Sequence, residues 1–423
     1  MAHSKHFGAT VDIGTSQLTI HLLDLKKQNL LAQCVLRNPQ SPFGLDVVSR
    51  AKHAVASENN ARKLSELVRG GVIQGLQIAG QKAGVALGDI QTMVVVGNTV
   101  MHHLFYGLPV DDLLTPPYEI QTSNELNMHT GNLGILLGDG AMCYSPPLIG
   151  SFVGCDAIAV ALASGLMSST ETTVVADVGT NTEIMIGHKG NLLITSAASG
   201  PAFEGMSLDC GMPADEGAIR AVQIDTASHR PRVDIIGHGK PMGVCGTGAV
   251  SALGALLDSN LLNSEGSLAR HVESTWLSGR GEVVHYILVQ ATDSGTGRSI
   301  YISQIDIRMI QQSKAAIFAA IELLVNEANI SADDVERFLL TGAFGSDLNI
   351  SDAIKIGLFP QFQNARVDQI PGGASSGADM ILLNPELRDA ASDIAKNTDY
   401  VDLMDNSEFE FQFSKAQLFP GSQ

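Results

Sequence analysis

Short apolar runs separated by polar breaks dominate the first part of the chain and predict β-strands. Three runs, at residues 9–13, 18–25 and 30–36, are rich in Val, Ile and Leu. Because the breaks between them are short, we expect three consecutive antiparallel strands. Apolar residues then recur at helical spacing over residues 46–55 and 61–83, so two helices are predicted there.

The rest of this half is expected to alternate strands with helices. A buried strand is predicted at residues 92–96. A second one at 148–152 leads through a glycine-containing turn into an Ala-rich helix at 157–166.

The second half of the chain repeats this order of elements. A strand at residues 173–176 leads through the turn 177–182 into a hairpin at 183–187 and 192–196. Further predicted elements are a glycine-rich turn at 243–248 that opens a helix at 249–257, a long helix at 305–328, a strand at 338–340, and a glycine-rich segment at 372–377 before an apolar helix. The repeat indicates an internal duplication.

The duplication predicts an α/β protein with two similar lobes. We expect lobe I at residues 8–168 and lobe II at 169–370. A C-terminal helix and tail at 371–423 would partly complete the fold. The acidic stretch 402–410 is predicted to be a solvated tail.

Length and charge narrow the class of protein. With 423 residues, 44% of them hydrophobic, the chain can fill two well-packed lobes. Its apolar runs are too short to span a membrane and its first residues lack the apolar core of a signal peptide, so we expect a cytoplasmic protein. A net charge of −18 disfavours nucleic acid and anionic membranes as partners, because both are polyanions.

The cysteines indicate small buried residues rather than a metal or redox site. There are five, and none forms a C-x-x-C pair. This spacing argues against a disulfide framework, a zinc site or an iron–sulfur cluster held by this chain alone.

Two turns carry nearly the same sequence. V-D-I-G-T-S occupies residues 11–16 and A-D-V-G-T-N residues 176–181, each after an apolar run and before a hairpin. Glycine in such a turn lets successive backbone N–H groups point at one spot and form an anion-binding nest. One D-x-G-T is a weak signal, because Asp and Gly are ordinary turn residues. Two copies in equivalent positions predict that both lobes bind the phosphates of a nucleotide.

The side chains of these turns suit phosphate together with a hard cation. The hydroxyl donors are those of Thr15, Ser16, Thr180 and Thr182. Asp12 and Asp177 would repel a bare phosphate, but they fit where Mg2+ lies between, since that ion takes one or two carboxylates with phosphate oxygens and water. We expect both to hold Mg2+ through water. The alternative is that either carboxylate only caps its turn.

The order of the motifs resembles the actin, sugar-kinase and Hsp70 ATPase superfamily. Its segments would be the first phosphate loop at 11–16, the first connecting helix at 154–166, the second phosphate loop at 177–182, the adenosine loop at 341–346 and the second connecting segment at 372–377. The resemblance implies a duplicated ribonuclease H-like fold, the actin-like ATPase fold, with two lobes around a nucleotide cleft.

Further motifs are similar to those of the ATP-dependent reductive activators of corrinoid proteins. They are V-V-V-G-N-T-V-M-H-H-L at 94–104, A-D-V-G-T-N-T-E-I at 176–184, A-S-G-P-A-F-E-G at 198–205, G-V-C-G-T-G at 243–248 and L-T-G-A-F-G at 340–345. Such activators use ATP to help return a Co(II) corrinoid, bound to its own carrier protein, to the Co(I) state that accepts a methyl group. The resemblance covers nearly the whole chain and implies ATP and Mg2+ as cofactors and a corrinoid protein as partner.

The loop chemistry and the resemblance together assign roles to residues. Asp12, Asp177 and Asp156 are the expected catalytic residues. Asp156 would orient the attacking water, with an N-cap as the open alternative. The expected contacts to ATP are Gly14, Thr15, Ser16, Gly179, Thr180, Asn181, Thr182, Gly246, Thr247, Gly248, Lys314, Gly342, Ala343, Phe344 and Gly345. Three alternatives stay open: a surface lysine at 314, a core position at 344 and a packing turn at 246–248.

Two other motifs have weaker interpretations. Gly97, Asn98 and Thr99 resemble a family motif and are expected at the cleft, as is the segment 200–205. His102 and His103 are adjacent, and adjacent helical residues diverge, so we interpret them as core or surface histidines rather than as a metal pair.

The absence of a cysteine cluster is a departure from the family, which usually carries an iron–sulfur domain in the same chain. An external reductant or ferredoxin could deliver the electrons, the sequence could be the ATPase part of a longer chain, or the role could have changed. Two other functions stay open: a small-molecule kinase with Asp156 as general base, and a non-redox actin-like scaffold. The oligomeric state is also open, with a homodimer as one candidate.

Overall fold

The structure is a computed structural model that describes residues 6–120, 122–205, 207–269, 272, 274–279, 284–342, 344 and 348–421. The chain forms two compact units. The described residues of unit 1 lie before Glu171, in Gly187–Ile194 and in Gly372–Tyr400, and those of unit 2 lie in Glu171–Ile186, in Thr195–Pro371 and from Val401 onwards. Within the described ranges, no helix is both long and apolar enough to cross a bilayer.

The strands follow the chain in this order: β1 (Phe7–Ile13), β2 (Gln17–Asp24), β3 (Asn29–Arg37), β4 (Ile90–Gly97), β5 (Leu126–His129), β6 (Met142–Ser145), β7 (Thr173–Val178), β8 (Thr182–His188), β9 (Asn191–Ala197), β10 (Ala218–Ile224), β11 (Pro231–Ile235), β12 (Gly243–Val244), β13 (Leu277–Ser278), β14 (His285–Val289), β15 (Ile300–Ser303), β16 (Arg337–Gly342), β17 (Arg366–Gln369) and β18 (Thr398–Tyr400).

The α-helices are α1 (Val47–Val55), α2 (Glu58–Ala83), α3 (Thr99–Tyr106), α4 (Cys155–Ser164), α5 (Gly246–Asp258), α6 (Gln304–Glu327), α7 (Ile350–Lys355), α8 (Gly373–Leu383), α9 (Leu387–Asn397) and α10 (Ser407–Ala416).

Two six-stranded sheets carry the duplication. The first has the order β3-β2-β1-β4-β6-β5 and the second β17-β16-β7-β8-β9-β18. In the first sheet, β1 and β3 both run antiparallel to β2, as predicted, and β1 runs parallel to β4. In the second, β7 lies beside β8 and runs parallel to β16. The strands β1 and β7 therefore hold the same place in their sheets, which confirms the duplication.

Helix α2 packs closely on β2 because two glycines face the sheet. Its N-cap is Ser57, whose side chain accepts a backbone hydrogen bond from the first turn. A Cβ at Gly71 would lie 2.8 Å from Leu18, and one at Gly75 would lie 2.5 Å from Ile20. Larger residues would push α2 away from β2, the strand that begins after the first predicted phosphate loop.

Helix α8 lies against β1, β4 and α4 within unit 1. A Cβ at Gly377 would overlap the carbonyl oxygen of Ala159, so the backbones of α8 and α4 touch there. The helix begins at Gly373, after Gly372 with φ of +60°. The glycine-rich segment 372–377 therefore lies mostly inside this helix, and the prediction that it only precedes a helix is corrected.

The predicted strand at residues 148–152 does not form. The nearby strand β6 ends at Ser145, and Pro146-Pro147 follow it. Proline has no backbone N–H, so this pair cannot continue a sheet ladder. The chain turns instead, and the Gly150 N–H donates to the carbonyl of Val153 at 2.9 Å.

The acidic stretch 402–410 is only partly a solvated tail. Its last residues belong to α10, and the side chain of Asn406 caps this helix by accepting from the N–H groups of Glu408 and Phe409. Acidic residues in the first turn also favour the helix start through its dipole. In unit 2, α10 packs against α6, so the prediction of a tail is wrong from Ser407 onwards.

Candidate functional site

The first loop joins β1 to β2, and buried donors hold its carbonyl groups. The Asn38 side-chain amide donates to the Gly14 carbonyl at 2.8 Å, and the Asn38 backbone N–H donates to the Ser16 carbonyl at 2.8 Å. Arg50, which is fully buried on α1, donates to the carbonyl of Thr15. Carbonyls engaged on one side suit an anion-binding nest, which offers its N–H groups on the other.

Asp12 lies on β1 next to this loop. Its carboxylate accepts a hydrogen bond from Ser375 Oγ on α8 at 3.2 Å. Burial raises the pKa of Asp12 from 3.8 to about 6, although the Ser375 hydrogen bond and nearby His21 lower it. A divalent cation would offset this loss of solvation, so the carboxylate fits the predicted metal role.

A polar cluster on α8 continues the support of β1. Asp379, one helical turn after Ser375, accepts a hydrogen bond from Thr10 Oγ1 at 2.6 Å. Its other carboxylate oxygen lies 2.8 Å from His21 Nδ1. Thr10 and Asp12 share a face of β1, so α8 contacts this face at two successive positions.

The second loop joins β7 to β8 in unit 2, and hydrogen bonds from Ser199 and Gly200 hold it. Ser199 Oγ donates to the Gly179 carbonyl at 3.0 Å and lies 2.7 Å from Thr182 Oγ1. The Gly200 N–H donates to the Thr180 carbonyl at 2.8 Å. The segment 198–205 therefore packs directly on the loop.

The carboxylate of Glu204, in the segment 198–205, contacts the second loop. Thr180 Oγ1 lies 3.0 Å from both Glu204 Oε1 and Oε2. A Cβ at Gly179 would lie 3.9 Å from Oε1. Because a hydroxyl has one hydrogen and Thr180 donates it to the carboxylate, phosphate would be contacted by the backbone N–H of Thr180.

The strand β16 ends at Gly342, in the predicted adenosine loop, and this residue touches the second loop. Gly342 has φ of +87°, and a Cβ there would lie 2.7 Å from Asp177 Oδ1. Phe344 is buried, and its ring centroid lies 5.2 Å from that of Phe203. Its ring is thus part of the core of unit 2. The predicted contacts Ala343 and Gly345 lie outside the described residues.

The glycines at the start of α5 are packed tightly. A Cβ at Gly246 would overlap the carbonyl of Phe203, and one at Gly248 would overlap that of Ile219. Thr247 is buried, and its Oγ1 lies 3.2 Å from Cys245 Sγ. These contacts are those of a packing turn. Binding of ATP by its N–H groups stays a prediction, as does the contact predicted for Asn181.

Helix α4 starts two residues earlier than the predicted helix at 157–166. Its N-cap is Gly154, where a Cβ would overlap the Gly97 carbonyl, so the helix begins at Cys155 rather than at residue 157. Asp156 therefore lies inside the first turn and is not the N-cap; its Oδ1 accepts from the N–H of Ala157 at 2.9 Å. The close approach to the Gly97 carbonyl requires glycine at position 154.

The motif Gly97, Asn98 and Thr99, at the end of β4, forms hydrogen bonds to the segment before α4. Asn98 Nδ2 donates to the Phe152 carbonyl at 2.8 Å, and Thr99 Oγ1 donates to the Gly150 carbonyl at 2.6 Å. The motif thus fixes the segment that leads to Asp156.

Family models match the chain in two parts. The model described as RACo middle region matches residues 7–169, and that described as the C-terminal domain of RACo, the ASKHA domain, matches residues 171–423. The chain belongs to the RACo family. This confirms the resemblance to the reductive activators and the actin-like ATPase (ASKHA) fold that the motifs imply.

Two individual proteins and one solved structure are similar to this RACo-family chain. It is 30% identical over 420 residues to the corrinoid activation enzyme RamQ of Eubacterium limosum, covering 98% of this chain and 70% of that protein. It is 23% identical to the [Co(II) methylated amine-specific corrinoid protein] reductase of Methanosarcina barkeri, covering 92% of this chain and 72% of that one. A solved reductive activator for corrinoid, iron-sulfur protein matches with a TM-score of 0.93 and 29% identity over 100% of this chain and 67% of that chain.

Lys314 lies on α6 and is fully buried. Its Nζ donates to the carbonyls of Ala416 and Leu418 and lies 5.1 Å from the ring centroid of Phe419. The alternative of a surface lysine is wrong. These two carbonyls take two of its three N–H donors, and the contact with ATP stays a prediction.

We expect the titration of Lys314 to be visible in the stability of the protein. Burial lowers its pKa from 10.5 to about 7. Between these values the unfolded state binds more protons, so the free energy of unfolding should rise with pH by up to about 1.4 kcal/mol per unit. In urea titrations at pH 7, 8 and 9, the free energy of unfolding should rise less steeply with pH for Lys314→Met than for wild type. Lys396→Met, at an exposed position on α9, is the control, and equal slopes in all three proteins would contradict the assignment.

The histidine pair is a core feature, as interpreted. His102 and His103 are both buried, and burial lowers the pKa of His102 to about 3. His103 Nδ1 lies 2.9 Å from the Thr99 carbonyl. Across the described part of the chain, no group of three or more His, Cys, Asp or Glu side chains could hold a metal ion. A cation at Asp12 would therefore need phosphate and water as further ligands.

Sequence reasoning missed several residues of the two loops. Asn38 and Arg50 give no local signal, because they lie 24 and 35 residues from the carbonyls that they bind. Ser375 lies in the glycine-rich segment 372–377, whose sequence does not indicate a contact with Asp12. Glu204 has a stronger signal: it is the acidic residue of A-S-G-P-A-F-E-G, a motif already identified.

Proposed function

We propose that the protein is an ATPase that supports the reductive activation of a Co(II) corrinoid protein to Co(I), with electrons from a separate donor. The observation that carries the proposal is the pair of equivalent D-x-G-T loops, one after β1 and one after β7, in a chain whose relatives are named for corrinoid activation.

The two D-x-G-T loops would take part in the binding of ATP and Mg2+. In unit 1, Gly14, Thr15 and Ser16 would contact phosphate oxygens, and Asp12 would hold Mg2+ through water. In unit 2, the loop 179–182 and Asp177 would take the equivalent roles. Bound Mg2+ would neutralise charge on the phosphates. The raised pKa of Asp12 and the close approach of Gly342 to Asp177 support these assignments.

Nucleotide would control the partner by changing the protein's preferred conformation. A ligand shifts a conformational equilibrium only through its different affinity for the states, so ATP and ADP must stabilise different states. By linkage, the corrinoid protein would then bind the ATP and ADP forms with different affinities.

The decisive experiment follows the cobalt spectrum of a Co(II) corrinoid protein. With this protein, ATP, Mg2+ and a low-potential reductant or ferredoxin, we expect Co(I) to form faster than with ADP or without the protein. ATP with Mg2+ should also raise the melting temperature, because a ligand of the native state stabilises it by mass action.

Two results would contradict the proposal. No change in melting temperature at millimolar ATP, in a folded sample, would remove the nucleotide site. If a panel of corrinoid proteins is neither bound nor reduced while a small alcohol, acid or sugar becomes phosphorylated, the protein is a kinase.

A further inference from the structure

Glu204 is a carboxylate directly beside a loop built to bind anions. Both its oxygens lie 3.0 Å from Thr180 Oγ1, and the loop glycine Gly179 is close to Oε1. A carboxylate in this position repels a phosphate oxygen unless a water molecule or a cation lies between them. Its charge therefore points to a role in the reaction as well as in binding.

The second loop does not need this charge for support. Ser199 already binds the Gly179 carbonyl and the Thr182 hydroxyl, and Gly200 binds the Thr180 carbonyl. Neutral groups thus hold both ends of the loop. A further neutral side chain could brace Thr180 without placing a negative charge at the phosphates.

The position of Glu204 is fixed by its neighbours in the chain. Phe203 is buried against Phe344, and its carbonyl lies where a Cβ of Gly246 would be. Gly205 has φ of +72° and lies against the backbone of Met212. Packing on both sides holds the carboxylate at the loop, as a catalytic group requires.

We propose that Glu204 is a catalytic residue for ATP hydrolysis, an inference that rests on the proposed function. It orients the attacking water and accepts its proton. The water oxygen forms a bond to the γ-phosphorus, and the bond from that phosphorus to the β,γ-bridging oxygen breaks, leaving its electron pair on ADP. The proton passes to the Glu204 carboxylate and then to solvent, so the products are ADP, phosphate and a proton. The Thr180 hydroxyl fixes the orientation of the carboxylate.

Glu204→Gln separates this role from a bracing role. The Gln side-chain oxygen still accepts the hydrogen bond from Thr180, but the amide cannot take a proton. We expect phosphate release by the full chain, with or without a corrinoid protein, to fall by about 100-fold or more, since general-base catalysis contributes at least that much. Binding of ATP, measured with a fluorescent ATP analogue and by the melting temperature, should be unchanged. Glu216→Gln, at an exposed site in unit 2, is the matched control.

Several outcomes would overturn the inference. Near-wild-type turnover in Glu204→Gln would leave Glu204 as a brace only, and lost ATP binding would make it a binding residue. If Asp156→Asn loses turnover while Glu204→Gln keeps it, the water-orienting role belongs to Asp156. A wild-type protein that neither binds nor hydrolyses ATP would remove the proposed function itself, which distinguishes the two failures.

Discussion

Replacing Asp12 by Asn is expected to abolish most turnover while making the protein more stable. The amide keeps the hydrogen bond from Ser375 but cannot neutralise a cation, so we expect ATP hydrolysis to fall by about 100-fold or more. The pKa of Asp12 is about 6 in the folded protein, above its ordinary value of 3.8. Its ionisation at pH 7 therefore costs folding energy, and Asn should add on the order of 2 kcal/mol to the free energy of unfolding.

The pH dependence gives an independent check of this prediction. A raised folded-state pKa contributes stability below about pH 4, and this contribution is lost as the pH rises to about 6. Urea titrations of Asp12→Asn should lack that loss. Asp393→Asn, at an exposed site on α9, should change neither the turnover nor the pH dependence of the free energy of unfolding. Wild-type turnover in Asp12→Asn would show that this carboxylate holds no essential metal.

Adding one methyl group at Gly377 is expected to destabilise unit 1 severely. The new Cβ would overlap the Ala159 carbonyl, and two packed helices cannot yield as a flexible side chain can. We expect Gly377→Ala to lower the free energy of unfolding by about 3 kcal/mol or more. Turnover should fall as well, because α8 also carries Ser375 and Asp379.

A second glycine, Gly70, provides the control for the effect of replacing a helical glycine by Ala. A Cβ at Gly70, on the exposed side of α2, would meet nothing within 4 Å. Gly70→Ala should therefore raise the free energy of unfolding by about 0.5–1 kcal/mol, since Ala is the better helix former. Urea titrations of both variants measure the difference. Equal stabilities would mean that α4 and α8 are not in backbone contact.

The sheets and long helices follow from the sequence because their signals are local. Apolar runs predicted β1 to β4, and the repeat of the hairpin predicted β7 to β9. Local rules also explain two errors. Pro146-Pro147 mark the end of the strand β6 at Ser145, so the strand lies before this pair rather than at 148–152. Lys314 lies four residues after Ile310 and three before Ile317, on the apolar stripe of α6, so its burial could have been predicted.

The supports of the loops could not be predicted in this way. The contact from Glu204 to Thr180 spans 24 residues, and that from Ser375 to Asp12 spans 363. No periodicity or turn rule connects positions so far apart. The motifs indicated which segments meet, and the fold determines which side chains reach the loops.

Arg50 has a consequence for any attempt to transfer the first loop. Its guanidinium binds the carbonyls of Thr15 and Gly44, and it also lies 3.2 Å from the sulfur of Met101 on α3. The Arg50 side chain thus connects the first loop to two other parts of unit 1, which are α3 and the segment before α1. A V-D-I-G-T-S hexapeptide grafted into another hairpin would lack these contacts with Arg50. The loop would then relax, and we expect such a graft to bind phosphate poorly even though every residue of the motif is present.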